Sequence, residues 1–232
     1  EDLSRGLGDV YKRQDYSGAA GAIVVDLGAG NATNDGDGAS DTLTDIENVI
    51  GTGGADDITG STAANVITAG VGNDTLTGGA GTDVLDGGAD IDTLELATGT
   101  STFSNNASIV NIENIKAHAS GGTINLSGQS EGFTIVGNTS DDIITGGDGN
   151  DIISGGGGND TFKITSGTDI ISDINTLDVF IVSSGATMNA TGVSTFSATN
   201  ASSNSGTATL TTVSTGGTIN ISSVCLLYTS PS

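Results

Sequence analysis

The sequence predicts an all-β chain of stacked, parallel coils, and three observations carry that prediction. Single apolar residues recur at a nine-residue step, turns rich in glycine separate them, and one carboxylate returns at a fixed place in each turn. From Gly51 the chain divides into "GTGGADDIT", "GSTAANVIT", "AGVGNDTLT", "GGAGTDVLD" and "GGADIDTLE". The sixth position reads Asp56, Asn65, Asp74, Asp83, Asp92, and the eighth reads Ile58, Ile67, Leu76, Leu85, Leu94. From Gly137 it divides again into "GNTSDDIIT", "GGDGNDIIS", "GGGGNDTFK" and a degraded "ITSGTDIIS". There the sixth position is Asp142, Asp151, Asp160, Asp169, and the eighth is Ile144, Ile153, Phe162, Ile171. Self-similarity at a fixed period is the mark of a repeat architecture.

Each nonamer separates into a six-residue turn and a three-residue strand. Side chains alternate along a strand, so the middle residue of the three, the apolar one, points inward. Glycine at positions one, two and four gives the turn backbone angles that other residues resist. Two nonamers make one 18-residue coil with a strand on each side, and successive coils stack as parallel strands. Aspartates two nonamers apart then meet across a strand spacing of roughly 4.8 Å. Two carboxylates that close repel by about 1 kcal/mol in water and by several at an effective dielectric near 20. A Ca²⁺ ion takes oxygens at roughly 2.3 to 2.6 Å, so an ion between two loops reaches both. Turn carbonyls would complete its shell. The alternative is a metal-free solenoid whose aspartates only form turns.

Taken in chain order, residues 1–14 ("EDLSRGLGDVYKRQ") hold three of the five basic residues, and composition sets them apart. Residues 225–232 ("CLLYTSPS") hold the lone Cys and the lone Pro. Both ends resemble translated adapter read-through, the alternative being a genuine linker and cap. On the first view Cys225 carries no information about redox compartment, and the protein is expected to continue in both directions. Residues 15–50 read as a β segment leading into the repeats, with one more copy, "GDGASDTLT", carrying Asp41 and Leu43. Residues 51–95 form the first repeat block, 96–136 a Ser/Thr-rich β segment, 137–172 the second block, and 173–224 another Ser/Thr-rich β segment. The two blocks begin 86 residues apart, and "STFS" and "GGTIN" recur after each. The chain therefore reads as a slice of an array of modules.

The pattern GGxGxDxUx, best kept in "GGAGTDVLD", "GGDGNDIIS" and "GGGGNDTFK", resembles the repeats-in-toxin (RTX, hemolysin-type) calcium-binding nonapeptide repeat. The resemblance implies a parallel β-roll or β-helix, a right-handed solenoid, that folds only with Ca²⁺. It also implies type I export and a secreted, extracellular or cell-surface place in a Gram-negative bacterium. The expected metal carboxylates are Asp56, Asp74, Asp83, Asp92, Asp142, Asp151, Asp160 and Asp169. Backbone carbonyls would come from the loops around Gly70, Gly72, Gly79, Gly81, Gly147, Gly149, Gly156 and Gly158. The favoured pairs are Asp56/Asp74, Asp74/Asp92, Asp142/Asp160 and Asp151/Asp169. Three nonamers depart from the pattern. "GSTAANVIT" has Asn65 for Asp, so its pairing with Asp83 is expected to be weak or empty; "GGADIDTLE" has Asp90 where Gly belongs; "ITSGTDIIS" keeps only Gly167.

Composition supports a cation as the partner. The 232 residues carry 28 acids against 5 bases, a net charge of −23, and only 5 of the acids are Glu. Phosphate binding needs Lys and Arg, so nucleic acid is excluded as an expected partner. No apolar run approaches a membrane span. The string "GQSEG" fits a nucleophile elbow, but that motif needs a strand–turn–helix and a downstream His, and the single His118 lies upstream. Thr59, Thr68 and Thr77 suggest an ice-binding ladder until the ninth position changes to Asp86 and Glu95. The expected role is non-enzymatic, with the export tail of a secreted RTX enzyme or toxin as one alternative. An adhesin or surface-layer array with a glycan or protein ligand is the other.

Overall fold

The computed structural model describes residues 12–97, 100–102, 108–193, 195–198, 201–212 and 218–220. All regular structure in these residues is strand, and none is helix. The expected tails at 1–14 and 225–232 lie outside the described residues, except Lys12, Arg13 and Gln14. The strand Arg13–Asp15 pairs in parallel with Asn48–Ile50. The chain divides into two units, residues 1–97 with 107–113, and residues 98–106 with 114–232.

In the first unit, Arg13–Asp15, Asn48–Ile50, Val66–Val71, Val84–Ala89 and Ile109–Val110 line up as one parallel sheet. Ile23–Asp26, Asp57–Thr59, Thr75–Thr77 and Thr93–Glu95 make a second. The partners Asp57, Thr75 and Thr93, and likewise Asn48, Val66 and Val84, follow at the 18-residue step that two nonamers predict. The three-residue strands of the repeats bury their middle side chain, as Asp57-Ile58-Thr59, Thr75-Leu76-Thr77 and Thr93-Leu94-Glu95 do. One column of the core is Ile58, Leu76 and Leu94, and the other is Val49, Ile67, Leu85 and Ile109, all buried. Single apolar residues suffice because each touches the equivalent residue one coil away. The entry is different. Asn31–Asp35 pairs antiparallel with Ile23–Asp26, and Asp41–Thr42 pairs antiparallel with it in turn. The early repeat copy at Asp41 therefore does not join a parallel coil, and Asp41 instead accepts a hydrogen bond from the buried Tyr16 hydroxyl at 3.2 Å.

The second unit repeats the plan. Asn114–Lys116, Thr134–Asn138, Ile152–Gly156, Thr168–Ile171, Thr187–Val193 and Thr207–Thr212 form one parallel sheet. Thr100–Thr102, Gly122–Asn125, Asp142–Thr145, Thr161–Ile164, Val179–Val182 and Ser203–Asn204 form the other. Residues flanking the nonamers thus run in the same two sheets as the nonamers. The step is 18 residues within the repeats and stretches outside them: Ile124 pairs Ile144, Ile171 pairs Ala190, and Ile181 pairs Ser203. Ile153 and Phe162 fill the two sides of one coil, both fully buried.

Candidate metal centre

The sixth residue of each nonamer sits at the turn-to-strand corner, where its side chain reaches the coil before it. Asp56 N–H donates to Asp74 Oδ1 at 2.7 Å, and Asp74 N–H to Asp92 Oδ1 at 2.8 Å. In the second unit Asp142 N–H donates to Asp160 Oδ1 and Asp151 N–H to Asp169 Oδ1, both at 2.9 Å. The four favoured pairs are therefore neighbours on carboxylate ladders. Asn65 N–H donates to Asp83 Oδ1 at 2.9 Å, so the fifth pair keeps the ladder with an amide in place of one carboxylate.

At Asp74, Asp151 and Asp160 the ladder uses one carboxylate oxygen and leaves the other. Asp74, Asp151 and Asp160 are each about 1% exposed, and their Oδ2 atoms are buried with no hydrogen-bond partner. A buried ionised oxygen without donor or counter-charge costs several kcal/mol, by the general scale for buried ions. Burial accordingly drives the Asp74 and Asp151 carboxyls up to about 6 and those of Asp160 and Asp169 up to about 7. The ladder hydrogen bond opposes the shift, and the neighbouring aspartates Asp56, Asp92 and Asp90 add to it at Asp74. Burial also raises Asp83 and Asp92. Among the described residues no three His, Cys, Asp or Glu side chains converge, so any ion here draws most of its shell from backbone oxygens. That donor set, hard oxygens with one or two carboxylates, fits Ca²⁺ and does not suit a soft metal.

The glycines keep the turns this tight. Gly156 has φ +89° and lies against the Asn138 carbonyl one coil away, where a Cβ would collide. Gly146 lies against the Oδ2 of Asp151, so a side chain there would fill the space beside the unpartnered oxygen. Gly70, Gly72, Gly79, Gly81, Gly147 and Gly158 also have positive φ, whereas Gly149 does not and is held by close contact with the Glu131 carbonyl. Asp90, replacing glycine, is forced to φ +82°.

Three residues outside the sequence expectation join the ladders. Asp178, buried, accepts from Asp160 N–H at 2.9 Å and from Asn175 N–H at 2.7 Å. The segment "DINTLDVFI" keeps the sixth and eighth positions, Asp178 and Phe180, but has lost every glycine, which hid it. Glu113 Oε2 accepts from Asp92 N–H at 2.9 Å, 21 residues on, so a fixed step misses it. Asp173 accepts from Gly155 N–H, Gly156 N–H and Ser154 Oγ. A second ladder runs at the fifth position, where Asn73 accepts from Ile91 N–H and Asn150 from Thr168 N–H. The recurring "GND" triplets were its signal. His118 and Ser130 make no common site: His118 Nδ1 bonds Ser120 Oγ at 2.6 Å, and Ser130 is exposed with no helix after it among the described residues.

The described residues contain no helix long and apolar enough to cross a membrane. No curated protein is significantly similar to the chain. The family model of the RTX calcium-binding nonapeptide repeat matches four times, at the overlapping stretches 41–72, 50–85 and 59–94 and at the separate stretch 134–162. The matched stretches carry the carboxylate ladders from Asp56 to Asp92 and from Asp142 to Asp160. The chain carries RTX calcium-binding nonapeptide repeats, wound as a parallel β-roll.

Proposed function

We propose that this chain is a calcium-dependent folding region of a secreted or cell-surface bacterial protein, exported in an extended state and folded outside the cell. One observation carries the reading: buried carboxylate oxygens of Asp74, Asp151 and Asp160 that no protein group satisfies. Calcium would be held at Asp74, Asp83, Asp92, Asp151, Asp160 and Asp169, with carbonyl oxygens from the glycine turns beside them. Asp56 and Asp142 differ, having both oxygens already hydrogen-bonded.

The mechanism is a switch in charge. With calcium scarce, a chain of net charge −23 and one or two apolar residues per strand gains too little from burial to offset its repulsion. Extracellular-type sites fill at dissociation constants of roughly 10⁻⁴ to 10⁻³ M. An ion at a hundred times that constant contributes about 2.7 kcal/mol per site, so a few sites decide the equilibrium. Circular dichroism during a calcium titration tests this directly: the β signal should rise with calcium, and a full signal in excess chelator would end the proposal. A non-enzymatic array with a glycan or protein ligand is favoured over the tail of an enzyme or toxin because the repeat run occurs once in each unit. Sequence beyond either end would separate the two, by further modules or by a catalytic domain.

A further inference from the structure

The second position of the nonamer divides the turns into two kinds. At Gly70, Gly79, Gly88, Gly147 and Gly156 the backbone is left-handed, with φ between +88° and +127°. At Thr52, Ser61 and Asn138 it is not, since the non-glycine residues with positive φ among those described are Asp45, Asp90 and Asn111. A side chain resists the left-handed region, so these three residues turn their peptide the other way. Their N–H groups then close onto the sixth residue of the same turn. Thr52 N–H donates to Asp56 Oδ2 at 2.6 Å, Ser61 N–H to Asn65 Oδ1 at 2.7 Å, and Asn138 N–H to Asp142 Oδ2 at 3.0 Å. Their side chains add a second donor to the same residue: Thr52 Oγ1 at 2.8 Å, Ser61 Oγ at 3.3 Å and Asn138 Nδ2 at 3.3 Å.

In a glycine turn that closure is missing. Gly156 N–H is directed to Asp173 Oδ2 at 2.7 Å rather than to Asp160 of its own turn, and Asp160 Oδ2 is left buried and unpartnered. Two of the three closed turns also carry an amide that ties coil to coil. Asn65 Nδ2 donates to the Glu47 carbonyl at 2.6 Å and Asn138 Nδ2 to the His118 carbonyl at 2.7 Å. A neutral cross-link stands where the glycine turns of Asp74, Asp151 and Asp160 leave a buried carboxylate oxygen with no donor.

We propose that closure of a turn by its second residue decides whether it takes calcium: the glycine turns bind it, and the turns closed by Thr52, Ser61 and Asn138 bind none. Thr165, whose hydroxyl donates to the Gly147 carbonyl and not to Asp169, leaves its turn open. The inference rests on the calcium reading above and adds to it a placement. The closed turns open each run, residues 51–68 in the first unit and 137–142 in the second, so each run starts on a metal-free coil or turn. The glycine turns are then stacked upon it.

Counting ions tests the rule. The full chain and its variants are stripped with chelator and dialysed to equilibrium against Ca²⁺ alone, and bound calcium per chain is measured. Asn138→Gly frees Asp142 and should add one ion. Ser61→Gly with Asn65→Asp restores the second-position glycine and the sixth-position aspartate and should add one ion, whereas Asn65→Asp alone, still closed by Ser61, should add none. An extra ion in Asn65→Asp alone overturns the proposal, as does no extra ion in both glycine variants or in either one. A parent chain that binds no calcium removes the calcium reading itself, a result distinct from equal, non-zero counts across all variants, which removes only the rule.

Discussion

Within the second unit, the coil holding Ile153 and Phe162 can be set against the coils that follow it in the same two sheets. The inward columns stay apolar into the next coil, where Phe162 pairs Phe180 and Ile171 pairs Ala190, and Phe180 also lies 5.3 Å from Phe196 on the separate strand Thr195–Ser197. The ladder position runs one coil further on the Phe162 side, from Asp160 to Asp178, and stops on the Ile153 side. Asp151 and Asp169 are followed in register by Met188, fully buried, and preceded by Phe133, whose N–H donates to Asp151. The step also slackens from 18 residues to 19 between Ile171 and Ala190. Parallel stacking therefore needs the apolar eighth position but not the carboxylate. Aspartate and glycine have been added to a scaffold that stacks without them, and what they add is dependence on an ion.

That contrast is broken most severely by withdrawing calcium. At about 2.7 kcal/mol for each site held at a hundred times its dissociation constant, several sites exceed any single substitution. Hydrogen exchange in chelator should strip protection from residues 142–171 first, with residues 179–193 losing less. Equal loss in both would mean that the flanking coils depend on the ions as fully as the repeats do. Next in size is Phe162→Ala, which empties a fully buried position in the repeat column and should cost about 3–5 kcal/mol of stability in saturating calcium, measured by thermal or denaturant unfolding. The ladder carboxylate is worth less. Asp160→Asn keeps the acceptor for Asp142 N–H but removes one charge, and should raise the calcium midpoint of folding about tenfold, roughly 1.4 kcal/mol. A Phe162→Ala variant that shifts the calcium midpoint more than Asp160→Asn does would undo the division between scaffold and switch.

How much of this was legible in the sequence follows from which contacts obey a fixed step. The inward column and the ladder pairs of Asp56, Asp74, Asp92, Asp142, Asp160, Asp151 and Asp169 were readable because both repeat every 18 residues, so position in the chain gives position in space. Glu113 was not, because the 21-residue step to it includes an insertion that no periodicity marks. Asp178 was hidden for a different reason. Its turn is closed by Asn175 N–H rather than shaped by glycine, and glycine was the feature by which turns were recognised. The flanking Ser/Thr-rich segments read as separate because their apolar residues lose the nine-residue phase, although side-chain burial still alternates along them, as in Val179–Val182. Asp41 misled in the opposite sense: its nonamer fits the pattern, but the antiparallel ribbon of residues 31–42 takes it out of the stack.

The smallest expected effect lies in the first unit, where the last nonamer keeps Gly88 but has Asp90 at the fourth position. Asp90 is held at φ +82°, where a non-glycine residue costs about 1–3 kcal/mol, at the low end for Asp. Asp90→Gly relieves that strain and gives back about 0.5–1 kcal/mol through the freer unfolded chain, leaving a net gain of up to about 1 kcal/mol. The substitution also removes a charge that bears on the buried Asp74 and Asp92. In saturating calcium the thermal midpoint should rise by a few degrees. In limiting calcium the two effects oppose each other, since the lost charge weakens attraction for the ion while the relaxed turn favours the folded site. A fall in thermal stability at saturation would show that the carboxylate of Asp90 serves the neighbouring site, and that this departure from the pattern belongs with the switch and not with the scaffold.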